Sequence, residues 1–295
     1  MSANVPAALI RAPVLNRPPC ESDQDRAVEA LREGGCPVRN FEIEAEDFRK
    51  WLQMIDYEER SPIYPREYGP PRHPEGIWLR KRFEHFLSYR LAEISEGSRV
   101  MDVAAANAPV QRLWREVFGV REAWRQDWTY ETNLAKKTLG GDARSIPVPD
   151  ESFDALVLHN AWEHFEGESD VEFLVEAERI LIPGGRLVIT PLFFSFKGWV
   201  ATSPSVWADK YAGISSPPEF RPKIPVLIDE GIRQRYAQRH SSELLLAHFK
   251  RVPQLTPTLL VLDNPEDFAG YSPYTLTLVK DTDAASSNKD AHVAI

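Results

Sequence analysis

Three titratable side chains follow one strongly hydrophobic stretch of the chain and could accept a proton during a reaction. FDALVLHN (153–160) predicts a buried strand, and His159 stands where that strand ends. Glu163 and His164 come a few residues later. A side chain at such a position can act as the general base that a hydroxyl nucleophile requires. A hydrogen-bonded histidine that only shapes the loop explains each histidine equally well, so both interpretations stay open.

Three aspartates stand at the ends of further predicted strands or extended segments. Asp102 lies in SRVMDV (98–103), Asp127 directly follows VREAWRQ (120–126), and Asp142 opens another extended piece. When strands and helices alternate at such short intervals, the strands form a mostly parallel sheet whose carboxyl ends meet at one edge. The sequence therefore predicts a ligand crevice at that edge, with these polar side chains around it.

The elements that must position these side chains follow from hydrophobic spacing. Phe83 and Phe86 belong to an apolar stripe that predicts an amphipathic helix over 77–95. Pro109 suits the first turn of a helix that runs to about residue 118. The sequence also predicts helices over 22–33, 44–55, 169–181 and near 131–138, and strands over 186–192, 255–264 and 274–280. The predicted fold class is α/β, a doubly wound sheet with helices on both faces.

A longer run of motifs makes this interpretation more specific. GDARSIPVPDESFDALVLHNAWEHFEGESDVEFLVEAERILIPGGRLVITPL (141–192) contains, in order, an acid, a proline-rich turn before Phe-Asp, a hydrophobic strand, a Glu-His pair and a Pro-Gly-Gly turn. In this order and spacing it resembles the second half of the core of class I S-adenosylmethionine-dependent methyltransferases, in particular the bacterial small-molecule group (methyltransferase type 11-like). The resemblance implies a Rossmann-like, mostly parallel sheet with an antiparallel last strand, and S-adenosyl-L-methionine as the cofactor.

The resemblance also implies which residues bind the cofactor. The loop 102–108, with Asp102, Ala104 and Ala106, would lie against the amino acid end and the ribose. Backbone amides near the following helix would favour the carboxylate of the cofactor. Asp127 occupies the position of an acid that accepts both ribose hydroxyls, although an ordinary surface acid is the alternative.

The remaining site residues are assigned in the same way. Asp142 and Ala143 resemble the pair that meets the adenine amino group, the first through its carboxylate and the second through its backbone. Trp128 could stack near the adenine, or it could be a core or rim residue. His159 stands where relatives often place a residue on the acceptor side, so it is both a cofactor-binding and a catalytic candidate, together with Glu163 and His164 as catalytic candidates.

The first motif departs from the family. Where relatives have Gly-x-Gly-x-Gly, this chain has alanine at positions 104, 106 and 108. Glycine serves there because it tolerates positive φ and allows a close approach to the ligand. We expect a loop rearranged into conformations that alanine accepts, which still binds the cofactor through Asp102 and nearby backbone amides. Loss of cofactor binding is the alternative.

The predicted function is methyl transfer to a small-molecule or sugar acceptor, with a hydroxyl oxygen as the expected nucleophile. A catalytically inactive binding protein of the same fold is the alternative, supported by the alanine-substituted loop. A nicotinamide-dependent oxidoreductase is disfavoured, because no G-x-G-x-x-G follows the first predicted strand.

The composition restricts partners and location. A formal net charge of −9 argues against nucleic acid as the main partner, which would need a basic surface. The amino terminus lacks a secretory pattern and the longest apolar run is too short to span a bilayer, so we expect a cytoplasmic protein without membrane contact. Cys20 and Cys36 lack further ligands that would complete a zinc site, and we predict no metal.

The predicted organisation has three parts. Residues 1–75 would form an amino-terminal extension with helices, 76–281 the methyltransferase domain, and 282–295 a disordered tail. Within the domain, 193–250 would be an insertion that acts as a lid over the acceptor or as a contact in a homodimer. Its stretch RQRYAQRHSSE (233–243) either meets an anionic or sugar-like acceptor or is the solvated face of a helix.

Overall fold

The structure is a computed structural model, which describes residues 12–19, 23–55, 75–208, 214, 216–268 and 270–282. Side chains are described from residue 80 onward in the helix that begins at Glu75. The helices are α1 (Gln24–Glu33), α2 (Ala45–Met54), α3 (Glu75–Leu91), α4 (Val110–Glu116), α5 (Ser169–Ile180) and α6 (Ser242–Phe249). The strands are β1 (Val14–Leu15), β2 (Val38–Phe41), β3 (Arg99–Val103), β4 (Glu122–Asp127), β5 (Thr138–Gly140), β6 (Phe153–His159), β7 (Leu181–Thr190), β8 (Phe194–Ser195), β9 (Trp199–Thr202), β10 (Val226–Ile228), β11 (Ala237–Ser241), β12 (Leu255–Leu262) and β13 (Tyr274–Lys280).

One compact unit contains an eight-stranded sheet. It comprises the described residues of 38–160, 176–192 and 254–282, and we call it the large unit. The strand order is β2-β12-β13-β7-β6-β3-β4-β5. Strands β3 to β7 are parallel, whereas β13 runs antiparallel to both of its neighbours, β7 and β12. The predicted fold class is confirmed.

Aromatic side chains anchor α3 in the core of the large unit. Phe83 and Phe86 of this helix are buried in one cluster with Phe48 of α2 and with the sheet residue Val188. The Phe83 ring stacks on Phe268, with ring centroids 4.0 Å apart. Burial of each such ring stabilises the fold by about 1.5 to 3 kcal/mol. This packing fixes α3 in place, and with it the polar residues on the other side of the helix.

A second compact unit contains a five-stranded sheet that the sequence did not predict. It comprises the described residues of 12–37, 161–175 and 193–253, and we call it the small unit. The strand order is β1-β10-β9-β11-β8. Its core includes Val200, Trp207, Val226 and Tyr236. The domain boundaries, the disordered tail and the lid role predicted for 193–250 stay predictions, and residues 283–295 lie outside the described part of the chain.

Two secondary-structure predictions are wrong. The helix expected near 131–138 is a single short turn over Leu134–Lys136, and β5 begins at Thr138. Lys137 ends the turn in the left-handed region at φ 52°, and the following residues pair with β4 instead. The predicted helix over 169–181 ends at Ile180, and the Pro-Gly-Gly turn lies within β7, where the pairing with β6 is irregular.

The stretch 233–243 also differs from its prediction, because it is not a helix face. Ala237–Ser241 form β11, in which Gln238 and His240 are buried while their neighbours are partly exposed. Arg235, expected at an acceptor, forms an ion pair with Glu166 at 2.6 Å. A strand of only five residues, next to a segment with further arginines, is easily mistaken for a polar helix surface.

Three remaining expectations concern membranes and cysteines. No described helix is long and apolar enough to cross a bilayer. Cys36 is buried, whereas Cys20, like the helix start expected at Ser22, lies outside the described residues.

Candidate functional site

A pocket of about 140 Å³ opens at the carboxyl ends of β3 and β6 in the large unit. Its position matches the crevice expected at the carboxyl edge of the parallel strands. Three of the predicted cofactor residues, Ala104, Ala106 and His159, lie in its wall. The other lining residues are Lys81, His85, Ala105, Ala108, Pro109 and Asn160.

The alanine loop after β3 keeps a backbone course that normally requires glycine. Ala104 has a φ of 51° and Ala106 a φ of 43°, both in the left-handed region. Each such residue costs about 1–2 kcal/mol relative to the right-handed conformation. Our expectation of a loop rearranged into conformations that suit alanine is therefore wrong. The chain retains the glycine-type loop and tolerates the strain.

Hydrogen bonds from β4 hold this strained loop. The amide of Ala104 donates to Oε1 of Gln126 at 3.2 Å, and the amide of Ala105 donates to the carbonyl oxygen of Gln126 at 2.9 Å. The amide of Ala106 donates to Oδ2 of Asp127 at 2.9 Å. These three amides are therefore satisfied by the chain itself. The expectation that amides near the start of α4 favour the carboxylate of the cofactor concerns other residues and stays a prediction.

Asp102 and His159 form a buried chain of polar contacts beside the pocket. Nδ1 of His159 lies 3.0 Å from Oδ1 of Asp102, and Nε2 lies 2.8 Å from the hydroxyl of Ser88. Asp102 is 1% exposed, and its Oδ2 has no hydrogen-bond partner among the described residues. Because both ring nitrogens of His159 already have partners, this arrangement favours a positioning role for His159 over a role as a base.

Burial controls the charge of these groups. Desolvation lowers the pKa of His159 to about 3, and the nearby Lys81 ammonium adds to the effect. Desolvation also lowers the pKa of His85 well below its usual value, together with the charges of His159 and Lys81. Desolvation raises the pKa of Asp102 well above its usual value, against the opposite effect of Lys81. Both histidines are therefore neutral near pH 7.

These shifts predict opposite pH dependences of stability for His159 and Asp102. Between pH 6.5 and about 3 the unfolded state binds more protons at His159 than the folded state. The contribution of His159 to stability is therefore lost as the pH falls, by up to about 1.4 kcal/mol per pH unit. The folded Asp102 keeps its proton at pH values above about 3.9, where the unfolded residue loses it. Its contribution is therefore lost as the pH rises.

Urea unfolding of the wild type, His159→Gln and Asp102→Asn at pH 5, 6 and 7.5 checks this prediction. We expect the stability difference between wild type and His159→Gln to shrink as the pH falls. The free energy of unfolding of Asp102→Asn should instead increase relative to that of the wild type as the pH rises. Equal pH slopes for all three proteins would contradict the neutral His159 and the raised pKa of Asp102.

The other predicted cofactor residues follow the neighbouring strands. Asp127, at the end of β4, is buried, and its Oδ1 accepts hydrogen bonds from the amide and hydroxyl of Thr129 at 2.9 and 2.6 Å. Trp128 is 57% exposed, which excludes a core role. Asp142 is half exposed and paired with Arg144, whose hydrogen bond lowers the pKa of Asp142. Ala143 beside it is buried.

The Glu-His pair belongs to the small unit. Glu163 is buried, and His164 is partly exposed, with its Nδ1 2.6 Å from the carbonyl oxygen of Tyr236. The structure therefore brings Asp102, Ala104, Ala106 and His159 together, whereas Glu163 and His164 form a separate group in another unit. Their catalytic role stays a prediction.

Sequence analysis missed the polar side of α3, which supplies much of the pocket. Lys81 and His85 line it, Ser88 contacts His159, and Glu84 connects Lys81 to Asn160. Oε2 of Glu84 lies 2.9 Å from the Lys81 ammonium, and its Oε1 accepts a hydrogen bond from the Asn160 amide at 2.6 Å. Positions 81, 84, 85 and 88 have the i, i+3, i+4, i+7 spacing of one helix face. That polar stripe opposite the buried aromatic face is the signal that could have found them.

The residues of this edge fit the implied cofactor. The loop keeps its left-handed conformations at Ala104 and Ala106, and the pocket beside it is large enough for part of such a ligand. The ammonium of Lys81, which is paired with Glu84, lies in the pocket wall and is a charged donor of the kind that binds carboxylates. Buried Asp127 and exposed Trp128 stand at the end of the neighbouring strand, β4. These donors, acceptors and aromatic surface match a ligand with a carboxylate, a ribose and an adenine.

Comparison with known proteins agrees with this geometry. A family model described as a methyltransferase domain matches residues 99–189, which include β3 to β7 and the pocket loop. No curated protein matches the sequence.

Several solved structures are similar. The 1,6-didemethyltoxoflavin-N1-methyltransferase of Burkholderia thailandensis, with bound S-adenosylhomocysteine, is 14% identical and aligns with 83% of this chain and 94% of its own, with a TM-score of 0.47. The YcgJ protein of Bacillus subtilis is 16% identical over 68% and 98% of the two chains, with a TM-score of 0.42. The geranyl diphosphate C-methyltransferase of Streptomyces coelicolor A3(2) is 12% identical over 72% and 86%, with a TM-score of 0.41. Because these identities and TM-scores are low, the assignment to a class of protein rests on the sheet order and on the segment that the family model matches.

The match identifies residues 99–189 as a methyltransferase domain, and the sheet order with its antiparallel β13 is the one expected for the class I S-adenosylmethionine-dependent fold. The predicted family, the enzyme class and S-adenosylmethionine as the cofactor of this class are thereby confirmed.

Proposed function

We propose that the large unit binds S-adenosylmethionine at this pocket and transfers its methyl group to a small-molecule or sugar acceptor, with a hydroxyl oxygen as the nucleophile. The observation that carries the proposal is the left-handed conformation of Ala104 and Ala106 beside the pocket. Strained backbone persists where the surroundings enforce it and is concentrated at functional sites, so two left-handed alanines in the wall of a pocket support cofactor binding there.

Each polar group then has a defined task. Lys81 binds the carboxylate of the cofactor, and Asp127 accepts hydrogen bonds from the ribose hydroxyls. Asp142, with the backbone of Ala143, meets the adenine amino group, while the exposed Trp128 ring covers one face of the adenine. The cofactor supplies an already activated methyl group. The work of the chain is therefore to align the acceptor with that group and to exclude water.

His159 has a positioning task in this proposal. Its ring bridges Asp102 and Ser88 and forms part of the pocket wall, so it fixes the shape of the wall between β3, β6 and α3. Being neutral, it adds no positive charge that would repel the sulfonium of the cofactor. A hydroxyl acceptor needs a base, and Glu163 and His164 remain the candidates that the sequence offers.

One observation favours the second candidate function, an inactive binding protein. The amides of Ala104, Ala105 and Ala106 are engaged within the chain, so the loop offers fewer donors to the cofactor than a free glycine-rich loop would. Such a site could hold a ligand without placing its methyl group for transfer.

Calorimetric titration with S-adenosylmethionine and S-adenosylhomocysteine tests the proposal, with NADH as a negative control. We expect binding of both sulfur compounds, and at least about tenfold weaker binding to Lys81→Gln, since a charge-assisted contact contributes about 1.5–3 kcal/mol. Lys137→Gln is the matched control. Lys137 is equally exposed and also ion-paired, with Glu122, but it lies at the amino ends of β4 and β5.

The outcomes separate the two candidate functions. Absence of binding by either sulfur compound at high micromolar concentration would refute the proposed site. Binding combined with release of S-adenosylhomocysteine in the presence of hydroxyl-bearing small molecules supports the enzyme. Binding without turnover over a broad acceptor panel favours the inactive protein.

A further inference from the structure

Two histidines and one aspartate of the small unit converge on a single point. Nε2 of His240 lies 2.9 Å from Oδ2 of Asp170, and Nε2 of His248 lies 3.1 Å from the same oxygen. The three potential ligand atoms all lie within 4.8 Å of one another. All three side chains are at most 4% exposed. A buried carboxylate oxygen with two imidazole nitrogens around it has the composition of a transition-metal site.

The three residues come from separate elements that the fold must bring together. Asp170 lies in the first turn of α5, His240 in β11 and His248 in α6. Aromatic and backbone contacts fix their orientation. The Trp162 ring stacks on the His240 ring at 4.2 Å with an interplanar angle of 12°, and its Nε1 donates to the carbonyl oxygen of Asp170 at 3.1 Å. Groups of this kind orient the ligands around most metal centres.

The other ring nitrogen of His240 faces the backbone. Its Nδ1 lies 3.4 Å from the carbonyl oxygen of Phe193, an oxygen that also accepts a hydrogen bond from the His240 amide at 3.1 Å. Nε2 is therefore the nitrogen of His240 that reaches the shared oxygen of Asp170.

Arg221 shares the carboxylate of Asp170. Its Nη1 lies 3.1 Å from Oδ2, and its Nη2 contacts Oδ1. The amide of Val171 also donates to Oδ1, at 2.7 Å. Oδ2 is therefore the oxygen that both histidines approach, and Arg221 is the charged neighbour that an ion at this point would share it with.

We propose that Asp170, His240 and His248 bind a divalent first-row transition metal ion, for which Zn²⁺ is the appropriate probe. Two imidazole nitrogens and one carboxylate oxygen favour such an ion over Mg²⁺ or Ca²⁺, which prefer oxygen ligands only. Water fills the fourth position of a tetrahedral site. The ion joins α5, β11 and α6, so its role is to stabilise the small unit. The site does not depend on the proposed methyl transfer.

The test uses the full chain, freed of metal by dialysis against a chelator and titrated with Zn²⁺ alone by calorimetry. We expect about one ion per chain, and a higher unfolding temperature in the presence of Zn²⁺. His248→Gln should bind Zn²⁺ more than about 100-fold more weakly, since even loss of an outer partner of a ligand lowers affinity about 10- to 100-fold. His164→Gln removes a histidine of the same unit that lies outside the cluster, and we expect it to bind Zn²⁺ like the wild type.

A second measurement remains informative if His248→Gln does not fold. Wild-type protein loaded with Co²⁺ should show the intense visible absorption bands of a four-coordinate ion. Zn²⁺ binding that is equal in the wild type and His248→Gln, or a Co²⁺ spectrum identical to that of the free hydrated ion, would overturn the proposal. The cluster would then be a hydrogen-bonded network completed by protons.

Discussion

Asp127→Ala is expected to weaken binding of S-adenosylhomocysteine by more than about tenfold and to destabilise the protein by about 2–4 kcal/mol. The carboxylate is buried and accepts hydrogen bonds from the amide of Ala106 and from the amide and hydroxyl of Thr129. Each donor left without a partner in a buried site costs about 1–3 kcal/mol. Ala106, no longer held by Asp127, can also leave its left-handed conformation, which removes part of the pocket wall.

Thr129→Val is the matched control for Asp127→Ala. It removes one of the three hydrogen bonds to the same carboxylate but keeps the negative charge and the contact to Ala106. We expect a loss of about 1 kcal/mol in stability and an affinity for S-adenosylhomocysteine within about twofold of the wild type. Urea unfolding gives the stabilities, and calorimetry below the unfolding transition gives the affinities. An Asp127→Ala protein that folds and binds the ligand as tightly as the wild type would remove Asp127 from the site.

Gly140→Ala is expected to destabilise the protein by about 3 kcal/mol or more, the largest stability effect that we predict for a single methyl group. A Cβ at this position would lie 2.0 Å from the carbonyl oxygen of Tyr130 and 2.9 Å from its carbon. Backbone atoms cannot move aside as a flexible side chain can. Overpacking of a close-packed region typically costs about 1–3 kcal/mol, and here the clash also separates β5 from the turn that follows β4.

Gly97→Ala is the control for this substitution. A Cβ at Gly97 would meet no atom within 4 Å, and its φ lies outside the left-handed region. We expect its stability to lie within about 1 kcal/mol of the wild type, with a small gain, because alanine restricts the unfolded chain. Equilibrium urea unfolding followed by circular dichroism measures both variants. If the two variants lost the same stability, the close approach of Tyr130 to Gly140 would be refuted.

The sequence predicted the large unit well because its elements carry local signals. β6 and α5 show strong hydrophobic patterns, and their motifs allowed a mostly parallel sheet with an antiparallel last strand to be inferred from a family resemblance. β2 was missed, since its four residues alternate poorly and its partner β12 is far away in the chain. The five-stranded sheet was missed for the same reason: its strands are two to five residues long and pair with distant segments.

The sequence predicted only part of the candidate site, namely the residues that follow recognisable strands. Ala104, Ala106 and His159 follow strands whose carboxyl ends are predictable, and the structure places them around the pocket. Lys81 and His85 were missed because the spacing of α3 was used only to find its apolar face. The conformation of the alanine loop depends on hydrogen bonds to Gln126 and Asp127, which no local rule anticipates. The His240–His248 cluster was missed because Asp170 is 70 residues away from His240.

The pairing of β2 with β12 has a consequence for synthesis of the chain on the ribosome. Val38–Phe41 leave the ribosome early, but their partner strand begins only at Leu255. At about 5–20 residues per second, the intervening chain takes roughly 10 to 40 s to appear. During that time the edge of β2 remains unpaired, and β7 still lacks β13. The nascent chain therefore exposes two open strand edges until β12 and β13 have been translated, and these edges are where we expect a chaperone or a second nascent chain to bind.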